Sequence, residues 1–408
     1  MKYDGVVIGG GPAGMFAAIH AARNGEKVLL LERNDRLGKK LLITGKGRCN
    51  VTNDCTAQEV LQNIPRNGRF LYSALENYPP QRIMEFFEEH GCPLKVERGN
   101  RVFPVSDQAA SILNCLKNAL RSSGVTVKTE RVKSILTDNG CVTGVQTESD
   151  IIYCSWVILA TGGVSYPTTG STGDGYKMAE GMGHIIVPPV GSLVPLETDE
   201  PYCAMMQGLS LRNVAVRLLN EKGKAVFKDF GELLFTHFGV SGPTVLSASA
   251  HLPKGSSSLH IDLKPALDEV KLNDRLLRDL DQYKNRTMEN ALTDLLPRSM
   301  IPVVLMRLDI PGDLPAHSLK KEQRRKIVEL LKDFSVPISG RRPVQEAIIT
   351  SGGISTKEID PKTMESKLQK GLFFAGEIID CDAYTGGFNL QIAWATAFAA
   401  ASAVKNRD

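Results

Sequence analysis

Three glycines near the start of the chain have the spacing needed to bind a pyrophosphate. In the segment GGGPAG, Gly9 permits a tight turn, Gly11 lets the backbone approach a phosphate, and Gly14 lets a helix pack closely on a strand. Amides at the start of that helix would face the phosphates, and the helix dipole would favour their charge. Glu32, about twenty residues beyond the first glycine, could accept hydrogen bonds from ribose hydroxyls. The chemistry indicated is binding of a dinucleotide.

The elements that must position these residues form a βαβ unit. Residues 2–7 are a short apolar strand, a helix of small side chains extends to Ala22, and residues 27–31 are a second apolar strand. A lone glycine motif would be weak evidence, but strand, glycines, helix, second strand and acid occur here in the required order. We therefore predict a Rossmann-like βαβ unit.

A glycine-rich, basic loop follows the second strand over residues 33–50. It has neither helical nor strand periodicity. One interpretation is a solvated loop. The other is that the loop wraps the cofactor, because cations such as Arg33 and Lys40 would offset the pyrophosphate charge. Gly45 and Gly47 would then let the backbone approach a flat ring.

The C-terminal part supplies a second anchor. Residues 372–377 form an apolar strand that ends in Gly376 and Glu377, and a glycine-started helix follows and extends to residue 401. The chain holds one complete GxGxxG fingerprint, whereas an enzyme that binds NADPH and FAD in two such domains needs two. A helix start beside the pyrimidine edge would stabilise negative charge on a reduced flavin. We therefore predict FAD.

The middle of the amino-terminal half continues the same domain. Residues 125–147 predict a small antiparallel meander, in which Val132 is either a backbone contact to the adenine or a core residue. Residues 156–163 predict another buried strand that returns to the main sheet. It ends in a glycine turn that contains Ala160, Thr161 and Gly162.

A change of composition after a proline pair predicts a domain exit. We predict an α/β fold with a discontinuous, glutathione-reductase-like FAD-binding domain over residues 1–190 and 341–408. Residues 191–340 would be an inserted substrate or cap domain over the cofactor. Its first part, 191–265, would be a β-barrel, and its second part, 266–340, would be helical.

Composition is that of an ordinary globular protein: 408 residues, 42% hydrophobic and 23% charged, with a net charge of +4. The eight cysteines form no CxxC pair, which favours reduced thiols and a cytoplasmic location. No apolar run approaches the roughly 18 residues of a membrane span. The first strand begins near the first residue, from which we expect no signal peptide.

These motifs together resemble a bacterial family of FAD-binding oxidoreductases, labelled aminoacetone oxidase-like or NAD(P)/FAD-dependent, that has bile-acid-reducing relatives. The most specific stretches are GKGRCN at 45–50, GEIID at 376–380 and TGGFN at 385–389. The resemblance extends over nearly the whole chain and implies a flavoprotein oxidoreductase. Many flavoproteins have Asp after the glycine of the last strand. Here Glu377 stands there, so either Glu377 or Asp380 would hold the ribityl chain.

The residues expected to bind FAD come from all of these motifs. They are Gly9, Gly11, Pro12, Ala13, Gly14, Glu32, Arg33, Lys40, Leu41, Thr44, Gly47, Arg48, Cys49, Asn50, Val132, Ala160, Thr161, Gly162, Gly376, Glu377, Asp380, Gly387, Phe388, Asn389 and Leu390. No metal site is expected.

Candidate catalytic helpers beside the flavin ring are Arg48, Cys49, Tyr166, His237, Arg341 and Tyr384. Each also has a structural explanation, so the catalytic residues are unknown. Residues 169–175, TGSTGDG, resemble a stretch of the fumarate reductase and succinate dehydrogenase flavoproteins.

The function predicted first is hydride transfer between a small organic substrate and flavin N5. NAD(P)H, O2 or a protein carrier would be the other electron partner, and no membrane partner is expected. One alternative is an RNA-associated or RNA-modifying flavoprotein that uses the basic run at 320–326; another is a flavin-binding protein without turnover. The basic run falls on one side of a helix, so a solvated face is the simpler interpretation. Nucleic acid is therefore not the first expectation.

Overall fold

The computed structural model describes residues 3–404, which form two compact units. The discontinuous unit combines the chain up to Ser192 with the chain from Val344 onward, and the inserted unit is Leu193–Pro343. Each unit has its own hydrophobic core.

The first stretch of the discontinuous unit contains eleven strands and seven helices. They are β1 (Gly5–Ile8), α1 (Pro12–Arg23), β2 (Val28–Glu32), α2 (Lys39–Ile43), β3 (Thr52–Asn53), α3 (Ala57–Gln62), α4 (Tyr72–Asn77), α5 (Pro80–Glu89), β4 (Leu94–Glu97), β5 (Arg101–Pro104), α6 (Ala109–Ser122), β6 (Thr126–Thr129), β7 (Val132–Asp138), β8 (Cys141–Thr147), β9 (Ile151–Tyr153), β10 (Trp156–Leu159), α7 (Asp174–Gly181) and β11 (Ile186–Ser192).

The inserted unit follows, and the chain then returns to the first unit. The inserted elements are β12 (Leu196–Glu197), α8 (Tyr202–Met205), β13 (Ser210–Asn220), β14 (Ala225–Thr236), β15 (Gly239–Ser241), α9 (Pro243–Ser249), β16 (Ser257–Asp262), α10 (Glu269–Gln282), α11 (Met288–Ala291), α12 (Ile301–Arg307), α13 (Lys321–Lys332), β17 (Phe334–Ile338) and β18 (Gly340–Arg341). The returning elements are β19 (Ile349–Ile354), β20 (Leu372–Phe374) and α14 (Phe388–Ala403).

A parallel five-stranded sheet forms the centre of the discontinuous unit, in the order β20-β10-β1-β2-β6. Every residue of β1, β2, β10 and β20 is buried, and apart from Glu32 at the end of β2 their sequences are apolar runs. Such runs are what a sheet covered on both faces requires. Helices α1 and α14 pack against each other. This arrangement confirms the predicted Rossmann-type α/β fold.

Smaller sheets complete this unit. Strands β3, β5 and β4 form one, and β7, β8 and β9 form an antiparallel meander. The meander predicted over residues 125–147 is correct for β7 and β8 and wrong for its first strand, because β6 pairs parallel with β2 in the main sheet and β9 is the third strand of the meander. Strands β11 and β19 pair antiparallel.

The inserted unit is built on one antiparallel sheet in the order β17-β16-β13-β14-β15-β12-β18. Among the described residues, the pairings end at the edge strands β17 and β18, which is the order of an open sheet where the sequence suggested a barrel. Helices α10 to α13 lie between β16 and β17 in the chain, within the part predicted to be helical, but the end of that part forms β17 and β18 of the sheet. Their apolar residues share a core with the sheet.

The contact between α1 and β1 generates the first testable prediction. A Cβ on Gly14 would lie 1.8 Å from the carbonyl oxygen of Gly9, so Gly14→Ala must displace backbone. We expect the substitution to lower the free energy of unfolding by about 1–3 kcal/mol. Urea unfolding followed by tryptophan fluorescence measures it, since Trp156 and Trp394 are both buried in this unit.

Gly11→Ala is the matched control. A Cβ on Gly11 would meet no atom within 4 Å, and its φ of −78° suits any residue. With FAD removed from all three proteins, so that cofactor binding adds nothing to stability, we expect its unfolding curve to overlay that of the unmutated protein. Equal stability of the Gly14→Ala protein would contradict the packing described here.

Candidate functional site

One cleft in the discontinuous unit gathers residues from both ends of the chain. Its cavity volume is about 1310 Å³ with the open mouth included. The carboxyl ends of β1, β2, β10 and β20, helix α2 and the first turns of α1, α7 and α14 contribute to its walls. A cleft that passes several helix starts at the carboxyl edge of a parallel sheet suits an extended dinucleotide.

The glycine turn forms one wall of the cleft. The Gly9 amide donates to the carbonyl of Leu31 over 2.8 Å, which fixes β1 beside β2. Gly9 has a φ of 108°, and a Cβ there would lie 2.5 Å from the carbonyl oxygen of Ala160. Beside Gly11 the space is open. The first amides of α1, which lack acceptors within the helix, therefore have room for a phosphate in front of them.

Glu32 lies at the end of β2 with 7% of its surface exposed. Its Oε2 accepts from the Gly10 amide, and its Oε1 accepts from the backbone and side-chain amides of Asn34, each over 2.7 Å. These bonds hold the carboxylate at the cleft wall. Because Oε2 accepts one hydrogen bond here, its second lone pair is left for a ribose hydroxyl.

Lys40 and Glu377 form an ion pair across the cleft lining, although 337 positions separate them. Lys40 Nζ lies 2.5 Å from Glu377 Oε2 and donates to Ser165 Oγ over 2.6 Å. Glu377 Oε1 accepts from the Ser165 hydroxyl and from the Thr350 amide, both over 2.9 Å. The two charged side chains are 19% and 13% exposed. This network joins α2, the loop after β10, β19 and the segment after β20.

A second charged network lies at the start of α7. Arg33 donates to Thr172 and Asp174 over 2.7 and 2.9 Å, and Arg131 donates to Asp174 over 2.8 Å. Burial pushes the pKa of Asp174 upward. The hydrogen bond and charge of Arg131, together with the charge of Arg33, outweigh burial and leave the pKa below its ordinary value. Asp174 is therefore ionised at neutral pH.

Charged side chains in the cleft lining balance one another. The basic ones are Arg33, Lys39, Lys40 and Arg131; the acidic ones are Glu32, Glu130, Asp174 and Glu377. Each of the four basic side chains pairs with an acid. A pyrophosphate would thus find its positive partners mainly in the amides of helix starts.

Most of the residues expected to bind a cofactor line this cleft. These are Gly9, Gly11, Pro12, Ala13, Glu32, Arg33, Lys40, Leu41, Thr44, Val132, Ala160, Thr161, Gly162, Gly376, Glu377, Asn389 and Leu390. Outside the lining are Gly14, Gly47, Arg48, Cys49, Asn50, Asp380, Gly387 and Phe388. Gly14 and Gly387 lie behind the wall, where a Cβ would meet the Gly9 oxygen and the Thr52 backbone.

The second half of the basic loop turns away from the cleft lining. Arg48 pairs with Glu97 and Asp107, and its guanidinium carbon lies 4.2 Å from the centre of the Phe103 ring. These contacts hold Arg48 against the β4–β5 hairpin and the turn that follows it. Cys49 is fully buried, and burial raises the pKa of its thiol to about 12. The thiol stays protonated at neutral pH.

Asp380 is also turned away from the cleft lining. Its carboxylate accepts from Asn67 Nδ2 over 2.9 Å, and burial raises its pKa above the ordinary value. Of the two acids considered for the ribityl chain, Glu377 is the one that lines the cleft.

The candidate helpers do not line the cleft either. Arg341, in the inserted unit, donates to the carbonyls of Ser249 and Leu252. Tyr166 has a φ of 52° and begins the short turn before α7.

Several lining residues were missed by sequence reasoning. They include Asn34, Arg131, Ile348, Ile349 and the segment 169–174. The TGSTGDG resemblance was a signal for the last segment. No signal in the sequence indicated Arg131, because its partner Asp174 is 43 positions away.

Comparison with known proteins identifies the family. The family model described as HI0933-like protein Rossmann domain matches residues 3–403. The chain belongs to this family. It is 33% identical over 410 residues to the 3-dehydro-bile acid Δ(4,6)-reductase of Clostridium scindens, covering 98% of each protein. It is 32% identical over 405 residues to the ribosomal RNA dihydrouridine synthase of Escherichia coli, covering 98% of this chain and 97% of that protein.

A solved structure shares the fold. The 3-ketosteroid-Δ4-(5α)-dehydrogenase of Rhodococcus jostii aligns with a TM-score of 0.52 at 15% identity, covering 98% of this chain and 97% of that chain. At this identity the likeness shows the fold alone.

Family membership confirms FAD as the cofactor and oxidoreductase activity as predicted. The cleft fits that cofactor in the open space at Gly11 and in the helix starts contributed by both ends of the chain. Within residues 3–404 there is no helix long and apolar enough to cross a bilayer and no cluster of His, Cys, Asp or Glu that could hold a metal ion.

The ion pair across the cleft yields a prediction. Lys40→Met leaves Glu377 without its cation, so we expect a loss of about 2 kcal/mol in unfolding free energy, less than the roughly 3–5 kcal/mol for a fully buried pair. Lys40→Met combined with Glu377→Gln should recover more than half of that loss. Urea unfolding measures both. Glu377→Gln alone completes the comparison. If the double variant loses the sum of the two single-variant losses in unfolding free energy, the side chains are not coupled.

The buried thiol yields another prediction. Iodoacetamide at pH 8 should label exposed Cys141 in the native protein and leave Cys49 unlabelled until the protein is unfolded. The reason is that only the thiolate reacts, and a pKa of about 12 keeps Cys49 protonated at that pH. Mass spectrometry of the peptides reads the labelling. Alkylation of both residues at similar rates in the native protein would overturn this assignment.

Proposed function

We propose that the protein is an FAD-dependent reductase that saturates a carbon–carbon double bond conjugated to a carbonyl group. The observation that carries the proposal is the full-length likeness to two relatives with different substrates. One is named as a reductase of Δ(4,6) double bonds in a 3-dehydro-bile acid, the other as a synthase of dihydrouridine in ribosomal RNA. Both names describe addition of hydrogen to a C=C bond conjugated with a carbonyl. The common property is the reaction and not the substrate.

The atoms of this reaction balance simply. Bound, reduced FAD supplies a hydride and becomes oxidised. The carbon distant from the carbonyl accepts the hydride, the C=C π bond breaks, and the carbon next to the carbonyl takes a proton. The product is the saturated carbonyl compound.

The start of α14 is the part of the cleft best suited to a flavin. Asn389 and Leu390 line the cleft in the first turn of this 16-residue helix. Asn389 exchanges hydrogen bonds with the backbone of Ala383 over 2.8 and 2.7 Å, which fixes the loop before the helix. The positive end of the helix dipole favours the negative charge that a flavin carries when reduced.

Electrons reach the flavin from outside the FAD cleft. The part of the chain described by the structure contains one parallel sheet with one glycine fingerprint, so a nicotinamide would bind transiently and not in a second domain of the same kind. NADH, NADPH and a protein carrier are therefore the electron donors to compare for reduction of the flavin.

A reductive half-reaction and an oxidative half-reaction test the proposal. The purified holoprotein is photoreduced without oxygen and mixed with a 3-oxo-4,6-diene steroid acid or with uridine-containing ribosomal RNA. Recovery of flavin absorbance near ~450 nm reports hydride transfer. We expect recovery with at least one unsaturated substrate and none with its saturated counterpart. Equal recovery with both members of a pair, or with neither substrate class, would rule out the proposed reaction.

A further inference from the structure

We propose that Lys46, Arg98 and Arg101 form a surface that binds the phosphodiester backbone of an RNA strand. This surface, called here the Phe103 surface, lies beside the α14 end of the cleft. The inference rests on the proposed function and narrows its substrate to a uracil base within RNA.

The Phe103 surface is built by the β3, β4 and β5 sheet and by the basic loop. Arg98 lies in the turn between β4 and β5, and Arg101 opens β5 with its guanidinium carbon 5.9 Å from the Phe103 ring centre. Arg101 Nε donates to the Arg98 carbonyl over 3.0 Å, so the two residues are held together. A Cβ on Gly45 would lie 3.5 Å from the same ring, and exposed Lys46 is the next residue of the loop.

The three cations are available to a ligand. All three are exposed, and within residues 3–404 none has an acidic group within 4 Å. Arg48, which also stacks on Phe103, is different because Glu97 and Asp107 neutralise it. Lys46 has a φ of 58°, in the left-handed region that non-glycine residues avoid.

A chain of contacts connects the Phe103 surface to the cleft. Asn53 Nδ2 donates to the carbonyls of Gly99 and Gly386, each over 3.0 Å. Gly386 precedes Gly387, the N-cap of α14, and the first turn of that helix lines the cleft. The cations themselves are not part of the cleft lining.

This placement selects the class of ligand. A small acid confined to the cleft does not reach the Phe103 surface. If the base of one nucleotide enters the cleft, the rest of the RNA strand continues outside the cleft and carries one phosphate per nucleotide. Arginine and lysine are the usual partners of phosphates. Unpaired cations outside an active-site cleft fit such a polyanion.

The basic run on α13 offers a matched comparison. Arg325 pairs with Glu329 over 2.9 Å, and Arg324 donates to Asn273 over 3.1 Å, so part of this charge is already used. It lies in the inserted unit. A triple alanine variant there removes the same number of positive charges.

The experiment measures RNA affinity of the full-length holoprotein. A fluorescein-labelled, single-stranded RNA of about 20 nucleotides is titrated at several salt concentrations, and anisotropy gives Kd. We expect K46A/R98A/R101A to raise Kd at least tenfold and to lower the slope of log Kd against log salt by about 2, from roughly 0.7 per lost phosphate contact. The control K321A/R325A/K326A should keep Kd within about twofold of the unmutated protein.

FAD absorbance and tryptophan fluorescence of each variant show whether it is folded, and Arg101→Gln alone should raise Kd about threefold if the triple variant is unstable. Unchanged Kd in the Phe103-surface variants, a larger loss in the α13 control, or no RNA binding by the unmutated protein would each overturn the proposal. Reduction of the 3-oxo-4,6-diene acid and of uridine-containing RNA by the unmutated holoprotein is measured in parallel. Absence of both reductions would count against the proposed function, whereas reduction by an unmutated protein that does not bind the labelled RNA would count against the surface alone.

Discussion

The pairing of parallel strands in the order β20, β10, β1 and β2 is the constraint on which the site depends. Parallel strands present their carboxyl ends at one edge of the sheet, so Gly9, Ala160 and Gly376 meet there although they are far apart in the sequence. The backbones are so close that a Cβ on Gly376 would lie 2.8 Å from Ala13. The cleft can therefore form only when both ends of the chain belong to the same sheet.

The charges of the cleft follow from that geometry. Once the strand ends meet, Lys40 reaches Glu377, and Arg33 and Arg131 reach Asp174. These pairs make the lining rigid and electrically balanced. The negative charge of the cofactor must then be met by backbone amides at helix starts, which are fixed in place before the cofactor binds and keep their partial charge at any pH. Side-chain cations serve mainly to hold the walls together.

Local features could be predicted from the sequence, and long-range partners could not. The glycine turn and the buried strands were predictable because backbone sterics and apolar runs act over a few residues. The choice of partner is different. Arg48 was a candidate for binding the cofactor, yet it forms ion pairs with Glu97 and Asp107, on a neighbouring hairpin and turn. The partnership of Lys40 with Glu377 depends on strand order, which no local pattern reveals.

A crystal structure of the complex with FAD would show which groups surround the pyrophosphate. We expect phosphate oxygens within about 3 Å of the first amides of α1, with Lys40 still bound to Glu377 and Arg33 still bound to Asp174. A pyrophosphate held by the side chains of Lys40 and Arg33, with both ion pairs broken and the amides of α1 facing water, would contradict this expectation.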